Sequence, residues 1–239
     1  MIPAMDADPL EWRPQAFGRR RVKDISDPVV EPAWDGVRVL AHLDAAAGRV
    51  VLNDVTGADL APDHAPIVGA LLAALAADAA ILDGYLTDQA TRPGEGRGIV
   101  TSESPTLGEH ATQFLLGRRG AELMSGRGRP GLAGGARTID EIERTRDNVP
   151  IAFVAVDLVA LDGELLVEIP LLERKRLLES VLVEGDLVRR TPYVREPAGA
   201  FIITWRSLGF GGLAYKAANS RYLPGARNDG WCLAPMPRR

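Results

Sequence analysis

Asp35, Gly36 and Arg38 stand close together in the run Glu31-Pro32-Ala33-Trp34-Asp35-Gly36-Val37-Arg38, and Lys216 ends the run Leu208-Gly-Phe-Gly-Gly-Leu-Ala-Tyr-Lys216. A carboxylate beside a glycine, a guanidinium and an ammonium are groups that cancel charge around phosphate oxygens. Each residue also has a plainer role. Asp35 and Asp83, both next to a glycine, are placed to cap local backbone N–H groups. Arg38 is placed to pair with an acid. Lys216 is either an amine nucleophile or a charge at a strand edge or phosphate. His42, His64 and His110 lack metal-ligand spacing, and Cys232 is the only cysteine, which excludes disulfides and cysteine-rich zinc sites. No metal site is expected.

A net charge of −4 is not that of a dedicated nucleic-acid binder, which shows a basic domain or stripe. The basic residues are nevertheless grouped. Residues 117–137 hold Arg118, Arg119, Arg127, Arg129 and Arg137 against Glu122, and residues 216–239 hold Lys216, Arg221, Arg227, Arg238 and Arg239 against Asp229. Either group suits a DNA-binding arm or a solvated loop. The sequence has no apolar run of membrane-spanning length and no basic-then-apolar leader, so a cytoplasmic protein is expected.

The elements that must position these residues follow from periodicity. Residues 1–30, rich in proline and charge, read as an extended lead-in strapped over the domain. Val37, Val39, Ala41 and Leu43 alternate with Arg38, Leu40 and His42, which predicts a strand, turned at 44–48 and returning over 49–53 as a hairpin. Residues 62–78 predict an amphipathic helix with Ile67, Val68, Leu71, Leu72 and Leu75 on one side. Strands are predicted at 80–86 and at 151–161, the latter so apolar that both of its faces must be buried. Pro170 begins a helix whose Leu171, Leu172, Leu177, Leu178, Val181 and Leu182 share a face, with Glu173–Lys175 outside. Another helix runs from Pro197 to Gly209, and strands at 210–216 and 231–233 follow. Between them, residues 87–137 form a glycine- and arginine-rich insert with a short helix at 110–116, and a capped helix begins at Thr138. The mixture is α+β, with antiparallel sheets flanked by helices.

Laid out in this order, the chain resembles the ATP-dependent DNA ligases, nearest the bacterial end-joining type. That family carries Lys-x-Asp-Gly-x-Arg where this chain has Ala33-Trp34-Asp35-Gly36-Val37-Arg38. Ala80-Ile-Leu-Asp-Gly84 is similar to the family's Ile-Leu-Asp-Gly-Glu. Phe153-Val-Ala-Val-Asp157-Leu, Leu161-Asp-Gly163 and Pro170-Leu-Leu-Glu-Arg-Lys-Arg-Leu-Leu178 match a strand, a turn and a helix. The run ending in Lys216, then Asn219-Ser-Arg-Tyr222-Leu-Pro-Gly225 and Trp231, completes the set. The resemblance implies an ATP-grasp-like nucleotidyltransferase (adenylation) domain over residues 31–239, and with the chain stopping soon after Trp231, no oligonucleotide-binding barrel is expected to follow.

The departures fall on chemistry. The resemblance puts the family's lysine nucleophile at Ala33 and its ribose- or metal-binding glutamate at Tyr85. Its adenine-stacking aromatic falls at Val156, its metal-placing glutamate at Gly211, and its two phosphate-neutralising lysines at Leu233 and Pro235. The family's Ser-Arg-Asn-Gly turn appears as Asp54-Val55-Thr56-Gly57, without its arginine. Asp35, Gly36, Arg38 and Lys216 remain as nucleotide or phosphate contacts if any binding is retained, while Tyr85 and Trp34 are placed to fill the old cleft. The expectation is a catalytically silent relative with no cofactor, whose partner is DNA or a DNA-repair protein. ATP and Mg²⁺ enter only on the alternative, an active ligase or nucleotidyltransferase using altered residues.

Overall fold

The computed structural model describes residues 8–90 and 150–237. The insert from residue 91 onward, the short helix at 110–116 and the capped helix from Thr138 fall outside the described residues. In chain order the strands are β1 (Ala16–Phe17), β2 (Pro28–Pro32), β3 (Val37–Asp44), β4 (Arg49–Asp54), β5 (Ala79–Thr87), β6 (Ala152–Leu161), β7 (Glu164–Leu165), β8 (Val188–Arg190), β9 (Val194–Arg195), β10 (Gly212–Ala217), β11 (Arg227–Asn228) and β12 (Trp231–Pro235). The α-helices are α1 (Ala65–Ala74), α2 (Leu171–Val181) and α3 (Gly199–Ser207).

Two main sheets result. One runs β4-β3-β5-β6-β7, with β8 added in parallel to β6; the other runs β12-β10-β2-β9. All other pairings within these sheets are antiparallel. A third, two-stranded piece joins β1 to β11 in parallel and so ties the lead-in to the end of the chain. The observed α+β architecture, antiparallel sheets with few helices, is the one the sequence predicts.

Side-chain alternation assigns the faces. Val37, Val39, Ala41 and Leu43 of β3 join Leu82, Leu86, Phe153 and Ala155 in a core covered by α1 and α2 through Ile67, Leu71 and Leu178. The opposite face of the same sheet, with Leu40, Ile81 and Val159, packs toward Val29, Tyr222 and Trp231. β6 is buried along nearly its whole length, as its apolar sequence requires. Gly84 lets β5 and β6 approach: a Cβ there would run into the Phe153 ring and lie 2.7 Å from the Val154 carbonyl.

Three expectations are corrected. The stretch 31–38 does not simply open a hairpin; Pro32 ends a strand of one sheet and Val37 starts a strand of the other, so Ala33–Gly36 bridges the two. The first helix is shorter, because Leu75 turns extended and bridges to Leu182 instead of continuing the coil. In α2, Arg174 and Lys175 are buried, at 0% and 1% exposure, although the helix pattern places them outside. Acidic partners on β6 and β2 draw both inward.

Candidate functional site

Strand register places the site between the two sheets. Across the smaller sheet Val29 opposes Lys216, which opposes Trp231, and Glu31 opposes Ala214, which opposes Leu233. Ala33 follows two residues after Glu31 and donates its N–H to the Gly212 carbonyl at 3.0 Å. Because side chains alternate, Glu31, Ala33, Lys216, Trp231 and Leu233 share one face. The larger sheet presents Arg38 opposite Tyr85, and Asp83 opposite Asp157. Val156 is the extra residue where the β5–β6 register shifts between Asp83 and Gly84.

Glu31 is 1% exposed and sits between two ammonium groups. Its Oε2 accepts from Lys216 Nζ at 2.8 Å, and its Oε1 lies 2.6 Å from Lys175 Nζ, an ion pair without an aligned N–H. Lys175 also donates to the Val156 carbonyl at 3.0 Å and lies over the Tyr193 ring. Lys216 lies 4.2 Å above the Trp231 ring centroid. Burial, with the second ammonium of Lys175 nearby, holds the Lys216 amine below its ordinary pKa despite Glu31.

Two like charges face each other on neighbouring strands at Asp83 and Asp157, an arrangement that costs stability unless each is neutralised. Each has its own arginine. Arg38 forks onto Asp83 through Nε at 2.9 Å and Nη2 at 2.6 Å, and the Tyr222 hydroxyl donates to the same carboxylate at 2.8 Å. Arg174 forks onto Asp157 at 2.9 and 2.7 Å. Burial works against the Arg38 charge, but Asp83 more than offsets it and holds the guanidinium protonated. The same guanidinium lies 5.3, 5.7 and 5.8 Å from the centroids of Phe17, Tyr85 and Trp231. Burial pushes the Tyr85 and Tyr222 phenols up, so both stay neutral.

Little space is left. Among Glu31, Ala33, Trp34, Arg38, Tyr85 and Lys216 the cavity measures about 10 Å³, the volume of one water. A nucleoside triphosphate does not fit these residues. Ala33 offers no amine, Glu31 occupies the lysines that would face phosphate, and the carboxylates are committed to arginines. Mg²⁺ fits no better, since it needs several oxygen ligands in octahedral array, and no three His, Cys, Asp or Glu converge among the described residues.

The sequence-predicted residues divide clearly. Ala33, Arg38, Tyr85, Val156, Lys216 and Leu233 all line the cavity. Gly211 is exposed and accepts from the Met236 N–H, and Pro235 lies at the exposed end of β12, so neither reaches it. Gly36, at φ +150°, passes so close to the Leu86 carbonyl that a side chain would clash; its role here is backbone approach. The Asp35 N–H is held by Gln89 Oε1 at 3.1 Å. Asp83 does not cap a turn as expected; it lies mid-strand and pairs with Arg38, because β5 continues through it. Trp34 is buried and donates to Thr191 Oγ1 at 2.9 Å.

Sequence reasoning missed Glu31, Lys175 and Phe17. The available signal was a lone acid, Glu31, inside the otherwise apolar run Val29-Val30-Glu31-Pro32. A charge in a buried strand must find partners.

Two facing antiparallel sheets, a bridging segment at 33–36 and a chemistry-bearing cleft between them define an adenylation-type domain. The chain belongs to the ATP dependent DNA ligase domain family, which it matches over residues 19–232. It is 28% identical over 209 residues to a probable DNA ligase of Streptomyces coelicolor, covering 84% of this chain and 34% of that protein. It is 26% identical over 210 residues to a DNA ligase of Thermococcus onnurineus, covering 86% and 32%. The chain thus spans about a third of these curated relatives. Its fold matches the ligase domain of M. tuberculosis LigD with a TM-score of 0.60 at 20% identity, covering 96% of this chain and 61% of that one. A mycobacterial DNA ligase D complexed with ATP and MES gives the same TM-score and identity, with coverages of 95% and 61%. Among the described residues no helix is long and apolar enough to cross a membrane.

Proposed function

We propose that this ligase-family domain does not form a lysyl-AMP intermediate and acts as a binding module for DNA or a DNA-repair partner. One observation carries the reading: the Glu31 carboxylate sits between Lys175 and Lys216, where it satisfies internally the positive charge that a phosphate would otherwise meet. Covalent nucleotidyl transfer also requires a nucleophile, and Ala33 supplies a methyl group. Losing the amine removes the covalent route. Losing electrostatic groups around a transferring phosphate costs a further ~10²–10³ in rate for each group.

The test is incubation with ATP radiolabelled at the α-phosphate, with Mg²⁺ or Mn²⁺, followed by a denaturing gel. An unlabelled protein band is expected; a covalently labelled one overturns the silent reading and favours an active nucleotidyltransferase. DNA binding is tested separately by fluorescence anisotropy with nicked and intact duplexes. Affinity is expected to fall steeply with salt, and no association at low salt removes DNA as the partner.

A further inference from the structure

A second chamber lies outside the closed cleft. It measures about 170 Å³ and is walled by Pro14, Gln15 and Phe17 of the lead-in, Trp34 of the bridging segment, Val55 beyond β4, and Leu233 of β12. Phe17, Arg38 and Tyr85 line both spaces and so form the partition between chamber and cavity. The lead-in that makes this wall is fixed in place. β1 pairs with β11, the Gly18 N–H donates to the Trp231 carbonyl at 2.8 Å, and the Gln15 N–H donates to the Tyr222 hydroxyl at 3.1 Å.

Gln15 supplies the second observation. It is 0% exposed, and its Oε1 accepts from the Leu223 N–H and from Asn228 Nδ2, which fixes the amide's orientation. Its Nε2 is left without a hydrogen-bond partner. Buried polar groups are nearly always paired, so such an orphan calls for a partner supplied from elsewhere. An apolar, aromatic-walled chamber with one unpaired donor in its wall has the composition of a small-molecule site.

We infer that this chamber binds a planar, single-ring aromatic compound bearing a carbonyl acceptor, the ring lying among Phe17, Trp34 and Leu233 and the carbonyl meeting Gln15 Nε2. Size sets the ring count, since an engineered cavity of ~150 Å³ takes benzene. The Arg38 guanidinium in the partition disfavours a cationic ligand. This site is separate from the closed cleft, and ATP does not compete for it.

Benzamide, thymine and benzylamine serve as probes for the full chain. Benzamide and thymine are expected to raise Tm and to shift the Gln15 side-chain amide resonances, with millimolar or better affinity, in keeping with so few atoms. Benzylamine, a cation without the acceptor, is expected to do neither. Val55→Trp, at a rim position 51% exposed, is expected to fill the mouth and weaken both ligands about tenfold or more without loss of folding. No shift of the Gln15 amide at saturating benzamide, equal binding of benzylamine, or full competition by ATP each overturns the proposal.

Discussion

The Glu31 carboxylate and the Lys216 ammonium meet at 2.8 Å on one face of the smaller sheet, 185 residues apart in sequence. Lys216 occupies the family's last strand lysine, and Glu31 stands two residues before the nucleophile position. Their contact turns what would be a phosphate-facing surface into an internal ion pair. Lys175 completes the arrangement from α2, so that one acid serves two bases in a space that water scarcely enters.

Removing that acid should be costly. Glu31→Gln leaves two buried ammonium groups without a counter-charge, and breaking a buried pair from one side costs about 3–5 kcal/mol. Urea denaturation at neutral pH should show a loss of this order. The sign with pH follows from Lys216, whose folded pKa lies below its ordinary 10.5. Between those two values the unfolded chain holds a proton that the folded chain has released, so stability rises with pH across that window. The deficit of Glu31→Gln should therefore shrink as pH climbs toward 10.5; a deficit that does not change with pH would show that Glu31 acts by shape only.

Restoring the nucleophile should not restore the chemistry. Ala33→Lys puts a third ammonium beside Lys175 and Lys216 and adds four methylenes to a cavity of about 10 Å³. Overpacking of this kind typically costs ~1–3 kcal/mol. The variant is expected to melt lower than the parent and to stay unlabelled by radioactive ATP. Labelling of Ala33→Lys would mean that Glu31 yields to a triphosphate.

Much of this was legible in the sequence, and the exceptions share a cause. β6 was plain because a strand buried on both faces must be apolar throughout, and the site's losses were plain because Ala33, Tyr85 and Leu233 interrupt an ordered set of motifs. Glu31 and Lys175 were not, because a charged residue reads as solvent-facing until its partner is known. Their partner contacts span 144 and 185 residues, as measured by Glu31 to Lys175 and Glu31 to Lys216, and no local periodicity records such a pairing. Asp83 was misread for a related reason. A carboxylate next to glycine resembles a turn, while the strand ladder that runs through Gly84 depends on Phe153, which follows the insert.

His42 should set the acid limb of the stability curve. On β3 it is 8% exposed, its Nε2 has no partner, and burial holds its pKa down to about 4 from 6.5. Asp8 and Asp59 oppose the shift and Arg13 reinforces it. Below pH 6.5 the unfolded chain takes up a proton that the folded chain refuses, so stability falls as pH drops from about 6.5 to about 4. The linked loss approaches about 3 kcal/mol at the bottom of that range. In His42→Phe this part of the acid-side slope should vanish, and urea midpoints at pH 7 and pH 5 for the two proteins would measure it.

The Arg38–Asp83 pair offers a sharper test of what the conserved-looking charges now do. If Arg38 were kept for phosphate, Asp83→Asn would free it and strengthen binding of inorganic phosphate or ATP. The observed fork, closed from the other side by the Tyr222 hydroxyl, points to a structural use. Asp83→Asn should then cost ~3–5 kcal/mol, because the guanidinium stays buried without its counter-charge. Arg38→Met should cost about as much by stranding Asp83 opposite Asp157. The double variant, with Met at 38 and Leu at 83, should recover most of the loss, since buried pairs replaced by apolar groups of similar volume are often neutral. A double-mutant cycle in urea therefore separates the two roles: large coupling with no gain in phosphate affinity marks the pair as part of the frame, whereas additive losses with new phosphate binding mark Arg38 as a ligand contact.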